Sequence, residues 1–410
     1  MSSNIWLLGS SCFLAYTACY AGRSILSAIM PQIILDSNYT RSELGAMGSA
    51  FFLAYGIGQI LNGIIGDRIK AKYMVPVGLF FASVILMVFP SLTNVAAGIF
   101  LWGLCGVFLS MLWGPLSKVI AENTSVKVGT LLLTALNVAS ILGTTSAYLI
   151  ATYSSSKEQW KLSFYVVGVI LVLTAVIWYL MLSYLEKRNA LKVVHLKKAE
   201  GFNKELLNVL LNNAIIPMLV VSMINGIIRN AVTFWIPTYI TEELGFSPTL
   251  SAGISGILPF VNLVGTFIGL YILNRLGENE FKTIAILFAT SLFMFLSIGI
   301  ISAKHVVFII GMLFIACATM SSASNIIFST YCLKFKETGR ISAVNGLINF
   351  SSYAASAGAS VLFSKIITKY NWNLTVLVWA MLSLVGVAFS LIAQKQFNRQ
   401  RPKVFESNQM

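Results

Sequence analysis

Residues 8–34 read LGSSCFLAYTACYAGRSILSAIMPQII, an apolar stretch that contains one charged residue, Arg23. The stretch is longer than the roughly 20 apolar residues that an α-helix needs to cross the hydrocarbon core of a bilayer. Its apolar residues do not alternate with polar ones, as those of a membrane β-strand would. The stretch therefore predicts a membrane-spanning helix that carries an arginine far from either end.

Similar stretches follow along the whole chain. Of its 410 residues, 57% are hydrophobic and 10% are Asp, Glu, Lys or Arg, whereas an ordinary soluble domain has about 25% charged residues. We therefore predict an all-α integral membrane protein with twelve transmembrane helices in contact with the lipid bilayer. The predicted spans are 8–34, 43–66, 74–93, 96–120, 127–153, 162–185, 207–240, 249–273, 282–301, 305–332, 341–367 and 373–394.

One long polar connection divides these spans into two sets of six. The predicted organisation is an N-terminal half at 1–185, a cytoplasmic linker at 186–206, a C-terminal half at 207–394 and a cytoplasmic tail at 395–410. The two halves repeat, because Arg23 and Arg229 are each followed eight residues later by a proline. Many transporters consist of two such repeats and bind their substrate between them, near the middle of the bilayer.

The net charge of +14 is distributed in a way that indicates membrane topology rather than nucleic-acid binding. If the N-terminus is cytoplasmic, 20 of the 28 Lys and Arg residues fall in cytoplasmic segments and 6 in outer segments. Cytoplasmic loops of membrane proteins carry such an excess of basic residues. We therefore predict a multi-pass protein of the cell (plasma) membrane, a monomer, with both termini in the cytoplasm.

Arg23 and Arg229 are the remaining two basic residues, and both lie deep in apolar spans. A charge at the bilayer centre costs about 2.5–3.5 kcal/mol on insertion scales, so two such charges at repeated positions indicate a function. The alternative is a buried ion pair, but all 14 acidic residues fall at span ends or in loops. We predict that the two guanidinium groups face each other across the half-interface and bind a small anion.

Polar residues share the helix faces of both arginines, at spacings of three, four and seven residues. They are Tyr16, Tyr20 and Ser27 around Arg23, Ser222, Asn225 and Thr233 around Arg229, and Tyr55, Gln59 and Asn62 in the second span. Ordinary hydrogen bonding between helices would explain each of them singly about as well.

A second repeated feature closes spans 2 and 8. The first copy ends in Gly63, Asp67 and Arg68, and the second in Asn274 and Arg275. A carboxylate at such a position can cap a neighbouring helix or pair with a basic residue. We predict that these residues gate the cytoplasmic side, although the basic ones also fit the ordinary bias of cytoplasmic loops.

The sequence contains no pattern typical of an enzyme, a metal site or a cofactor site. The five cysteines lie in apolar segments without metal-ligand spacing. His195 falls in the central loop and His305 near an outer end, so neither is placed to relay protons through the bilayer. We predict a transporter that exchanges one anion for another, with no catalytic residue, no metal and no cofactor.

The sequence also resembles a known family in motifs that run through all twelve spans. They are Tyr20-x-x-Arg23-x7-Pro31, Glu43-Leu-Gly, Tyr55 with Gly63, Asp67-Arg68, Trp113-Gly-Pro115 and Arg229 with Ile236-Pro237-Thr-Tyr. On these motifs the chain resembles the organophosphate:phosphate antiporters of the major facilitator superfamily. The resemblance implies alternating access by a rocker-switch motion and exchange of an organophosphate for inorganic phosphate.

The resemblance also implies roles for individual residues. Arg23 and Arg229 match the arginines that bind the phosphoryl group, and the tyrosines that line that site match Tyr16, Tyr20 and Tyr55. The chain departs from the family where Gln59 replaces a lysine and Ser140 replaces a histidine. Because both changes remove positive charge, they leave room for a different organophosphate or for an organic carboxylate such as a sugar acid. A transporter-like sensor of a phosphorylated metabolite, which keeps the fold but signals to a partner, stays open as a separate alternative.

Overall fold

The computed structural model describes residues 3–37, 39–66, 69–189, 191, 214–300, 305–332, 334–335 and 341–407. These residues are almost entirely helical and include no strand. The predicted gating residues Asp67 and Arg68, and most of the predicted linker, lie outside the described part of the chain. The predicted tail is partly described, as the end of the last helix.

The α-helices have the following bounds: α1 Ser3–Asp36, α2 Arg41–Gly66, α3 Ala71–Val88, α4 Val95–Ser110, α5 Trp113–Asn123, α6 Val126–Ser156, α7 Trp160–Lys187, α8 Ile215–Gly226, α9 Thr233–Glu242, α10 Pro248–Ser255, α11 Leu258–Arg275, α12 Glu280–Ile300, α13 Val306–Asn325, α14 Ile341–Lys369 and α15 Trp372–Ser407. Two π-helical segments, Ile227–Val232 and Ile326–Tyr331, continue α8 and α13.

Eleven helical segments of the described chain are long and apolar enough to cross a membrane. The twelfth span is α14, whose 29 residues exceed the length that a bilayer requires. Its sequence is rich in Ser, Ala and Gly, and these small residues lower its hydropathy. The predicted all-α fold of twelve transmembrane helices is therefore confirmed.

Two predicted spans are interrupted. The fourth consists of α4 and α5, because Pro115 has no N–H to donate to the carbonyl of Met111 and its ring clashes there. In the eighth, α10 ends at Ser255 and α11 begins at Leu258. The seventh and tenth spans contain the π-helical segments, each six residues long. Such segments are frequent at functional sites.

Residue contacts group the chain into two compact units. The first consists of Met1–Lys198 and Phe234–Pro259, and the second of Ala199–Thr233 and Phe260–Met410. In the first unit, α1 packs against α6 and α7, α2 against α4, and α3 against α7. In the second, α8 packs against α14 and α15, and α12 against α13 and α15.

A close helix crossing holds the arginine-bearing helix in each unit. A Cβ atom on Gly143 of α6 would lie 2.2 Å from the carbonyl oxygen of Thr17 in α1. A Cβ atom on Gly226 of α8 would lie 2.4 Å from the carbonyl oxygen of Ser352 in α14. A Cβ atom at either position would clash with the facing helix, so glycine is required there. Small residues of this kind allow two membrane helices to approach closely.

Candidate functional site

Arg23 lies in the middle of α1, where it is half-buried among aromatic rings. Its guanidinium carbon lies 4.7 Å from the centre of the Tyr55 ring and 5.5 Å from the centre of the Tyr20 ring. Tyr55 comes from α2 and is 2% exposed. Both distances are within the range of cation–π attraction, so the two rings orient the side chain of Arg23.

The aromatic contacts continue along α1 beyond Tyr20. The rings of Tyr20 and Tyr16 lie 5.0 Å apart in an edge-to-face arrangement. The ring of Trp113, at the start of α5, lies 5.4 Å from that of Tyr16. The first unit thus brings Tyr16, Tyr20 and Tyr55 together around Arg23 and adds Trp113 to the cluster.

Two further residues predicted to bind substrate lie in the same unit. Gln59 follows Tyr55 by one helical turn in α2 and is half-buried. The Ser140 hydroxyl donates a hydrogen bond of 2.7 Å to the carbonyl of Asn137 in its own helix. No contact found in the described residues joins Ser140 to Arg23, and a role of Ser140 in substrate binding stays a prediction.

Arg229 lies in the π-helical segment that follows α8, and it is half-buried. Its Nη1 donates a hydrogen bond of 2.7 Å to the hydroxyl of Ser324 in α13. Its guanidinium carbon lies 5.5 Å from the centre of the Phe328 ring, in the second π-helical segment. The Nε atom is buried and has no hydrogen-bond partner among the described residues.

Among the described residues, no acidic side chain forms an ion pair with Arg229. Its contacts Ser324 and Phe328 are neutral. A buried N–H group without a partner costs free energy of the order of 1–3 kcal/mol, and more where the group is charged. An anion that accepts a hydrogen bond from Nε would recover this cost.

Asn225 lies one helical turn before Arg229 and is completely buried. Its Nδ2 donates a hydrogen bond of 2.7 Å to the carbonyl of Met320 in α13. Its Oδ1 has no hydrogen-bond partner within the described residues. This hydrogen bond fixes α8 against α13, the helix that also carries Ser324.

Sequence reasoning missed Ser324 and Phe328. A signal for Ser324 was present, because residues 320–325 read MSSASN, a polar cluster inside an apolar span. No comparable signal marked Phe328, because phenylalanine is an ordinary residue in a membrane helix. Its importance follows only from the position of its ring beside Arg229.

The predicted gating residues are only partly described. Gly63 lies near the end of α2. Asn274 and Arg275 end α11 with exposed side chains, and Arg275 Nε donates a hydrogen bond of 3.0 Å to the Tyr271 hydroxyl in its own helix. A gating role for these residues stays a prediction.

A further set of contacts in the first unit was not predicted. Ser27 of α1 donates a hydrogen bond of 2.8 Å to the carbonyl of Phe234 in α9, and the Phe234 ring lies 5.9 Å from that of Phe52 in α2. At the end of α9, Glu242 forms an ion pair with Arg41. Burial and the adjacent Glu242 raise the pKa of the Glu243 carboxyl.

Comparison with known proteins places this chain in a family. The sequence profile of the Major Facilitator Superfamily matches residues 12–360, and the chain belongs to this superfamily. Its fold is similar to that of a bacterial homologue of the human lysosomal transporter Spinster, with a TM-score of 0.77 and 13% identity over 98% of this chain and 99% of the other. The chain is therefore a membrane transporter by family.

Three relatives in sequence carry more specific names. The chain is 22% identical to the glycerol-3-phosphate transporter of Bacillus subtilis over 381 residues, 88% of this chain and 86% of the relative. It is 31% identical to the membrane sensor protein UhpC of Salmonella typhimurium over 96 residues, 23% and 22% of the two chains. It is 25% identical to the hexuronate transporter of Bacillus subtilis over 276 residues, 64% of each.

Proposed function

We propose that this chain exchanges an organophosphate for inorganic phosphate by alternating access, with Arg23 and Arg229 binding the phosphoryl group. The observation that carries this proposal is the buried Nε of Arg229, which has no hydrogen-bond partner in the described part of the chain and lies beside neutral residues. Guanidinium groups donate parallel hydrogen bonds that match phosphate oxygens. The match over most of the chain to a glycerol-3-phosphate transporter supports the same class of substrate.

The other elements of the proposal follow from the repeat and the distribution of charge. Two six-helix halves, 1–185 and 207–394, would move about the substrate, and both termini would lie in the cytoplasm. Tyr16, Tyr20, Tyr55 and Gln59 would contact the substrate in the first half. Exchange does not require a residue that carries protons. It requires only a positively charged site whose change of orientation across the membrane is unfavourable when no anion is bound.

Counterflow in proteoliposomes tests the proposal. Vesicles loaded with unlabelled phosphate should take up labelled phosphate or glycerol 3-phosphate, and vesicles without internal phosphate should not. Arg23→Ala and Arg229→Ala should each abolish this uptake. Uptake driven by a pH gradient into vesicles that hold no counter-anion would refute the exchange mechanism.

A carboxylate substrate is a second candidate, because arginine binds carboxylates in the same forked geometry. The match to a hexuronate transporter favours it. The same vesicles should then exchange a hexuronate for itself and ignore phosphate. A sensor role, which the short match to UhpC suggests, would instead appear as substrate binding without any exchange.

A further inference from the structure

Phe234, the second residue of α9, lies next to the surroundings of Arg23 within the first unit. Ser27, one helical turn after Arg23 in α1, donates a hydrogen bond of 2.8 Å to the Phe234 carbonyl. Phe52 lies one turn before Tyr55 in α2, and its ring is 5.9 Å from the Phe234 ring in an edge-to-face arrangement. Residues three or four apart share a helix face. Phe234 therefore lies about one helical turn beyond Arg23, toward the end of α1 that is predicted to face outside.

Ser27, Phe52 and Phe234 together form what we call the outer seal. All three are buried, with 6%, 6% and 7% of their surface exposed. Arg23, by contrast, is only half-buried. An anion can pass between buried aromatic rings only if it loses its hydration, which costs much free energy. In the described arrangement, the outer seal therefore blocks a path along α1 and α2 from Arg23 to the predicted outer side.

Phe234 begins a helical hairpin, 234–259, which residue contacts group with the first unit. We call this segment the outer hairpin. The Ser251 hydroxyl of α10 donates a hydrogen bond to the Pro237 carbonyl of α9, so the two helices of the hairpin are joined to each other. The Thr145 hydroxyl of α6 donates a hydrogen bond of 3.3 Å to the Gly256 carbonyl. The outer hairpin is thus held together by its own contact and attached to α6 by another.

Irregular backbone lies at both ends of the outer hairpin. The π-helical segment Ile227–Val232, which contains Arg229, comes directly before α9. Pro237 in α9 offers no N–H to the carbonyl of Thr233, so the first turn of α9 is weakened as well. At the other end, the chain passes through the break between α10 and α11. Helices bend at prolines and at π-helical segments, so these are the places at which the outer hairpin can turn.

We propose that Phe234 is the outer gate of the anion site, and that it opens when the outer hairpin turns away from α1, α2 and α6. This proposal rests on the proposed function and adds to it the residue that admits the anion from outside. Opening breaks the hydrogen bond from Ser27 and the ring contact with Phe52, both of which are individually weak. Arg229 lies in the segment that bends, five residues before Phe234, so an anion bound to Arg229 acts directly on the movement.

Distances between spin labels test the movement without relying on any substrate. Lys157→Cys, after the end of α6, and Leu250→Cys, in α10, place labels at exposed positions, whereas the five native cysteines are buried. This pair should show the distance of the described structure and a second, longer one in the wild-type background. The share of the longer distance should rise at least twofold in Phe234→Ala and in the milder variant Ser27→Ala.

A matched pair of labels lies outside the outer hairpin. Lys157→Cys and Thr93→Cys are both at exposed positions of the first unit and should show one distance in every background. A single distance between labels at Lys157 and Leu250 in the wild-type background, with and without phosphate, would overturn the gate. This outcome does not depend on whether Phe234→Ala folds.

Phosphate exchange in proteoliposomes tests the bending at Pro237. Pro237→Ala supplies the missing N–H and should slow exchange about fivefold, the factor that one net hydrogen bond contributes, with phosphate affinity within twofold of wild type. Pro248→Ala is the matched control and should exchange at the wild-type rate, because a proline in the first turn of α10 replaces no helical hydrogen bond. Equal rates in the two variants would overturn the role of Pro237. A wild-type protein that shows two label distances but exchanges no phosphate would instead overturn the proposed function.

Discussion

Arg41, at the start of α2, forms an ion pair with Glu242, at the end of α9, with 2.7 Å between Nε and Oε1. The two residues are 201 positions apart in the chain. The side chains are 38% and 17% exposed, so solvent screens the pair only in part. Together with the contacts of Phe234, the pair fastens α9 to α1 and α2.

We expect this ion pair to stabilise the described arrangement of the first unit only modestly. Arg41→Ala and Glu242→Ala should each lower the thermal midpoint by a few degrees, with a coupling energy of about 0.5–1 kcal/mol, as for partly exposed pairs. Thermal unfolding in detergent measures both values. The exchanged pair Arg41→Glu with Glu242→Arg should recover most of the loss, and a coupling energy of zero would contradict the prediction.

Variants of Arg229 should show whether phosphate binding requires only a positive charge or also the two parallel N–H donors of a guanidinium group. Arg229→Ala should weaken phosphate binding by about 100-fold, since charge-assisted hydrogen bonds contribute about 1.5–3 kcal/mol each. Arg229→Lys keeps the charge but cannot donate in the same geometry, so it should recover only part of the loss. Isothermal titration with phosphate checks this order, and equal affinity of the two variants would count against a forked contact.

Ser324 should act on substrate binding through Arg229. Ser324→Ala removes the hydroxyl that accepts the hydrogen bond from Arg229 Nη1. We expect phosphate affinity to fall about 3- to 10-fold, less than in Arg229→Ala, because the charge remains. Ser329→Ala is the control, because the Ser329 hydroxyl is exposed and bonds to its own helix. Binding titrations that show the same affinity in both variants would exclude this role.

Gly143 and Gly226 should tolerate no side chain. Gly143→Ala and Gly226→Ala place a methyl group against the backbone of the facing helix, which should cost about 1–3 kcal/mol in overpacking. Gly346→Ala serves as the control, since a Cβ atom there meets nothing within 4 Å. Its midpoint should stay unchanged or rise slightly, because alanine favours the helix. Thermal stability in detergent distinguishes the three variants.

The sequence by itself determined the membrane class, the number of spans and the depth of the two arginines. These are local properties, because hydropathy over about 20 residues decides whether a segment can cross a bilayer. The break in the fourth span was not predicted, although its cause, the missing N–H group of Pro115, is a local property. The residues around Arg23 on its own helix followed from the helical period alone.

Only the tertiary structure decided which residues of other helices meet the arginines. Ser324 lies 95 positions from Arg229, and Trp113 reaches Tyr16 from a different helix. Membrane helices are apolar on most sides, so hydropathy does not reveal which faces pack together. The small residues at the helix crossings determine which helix faces pack together. This packing also forms the surroundings of Arg229, whose Nε has no hydrogen-bond partner among the described residues.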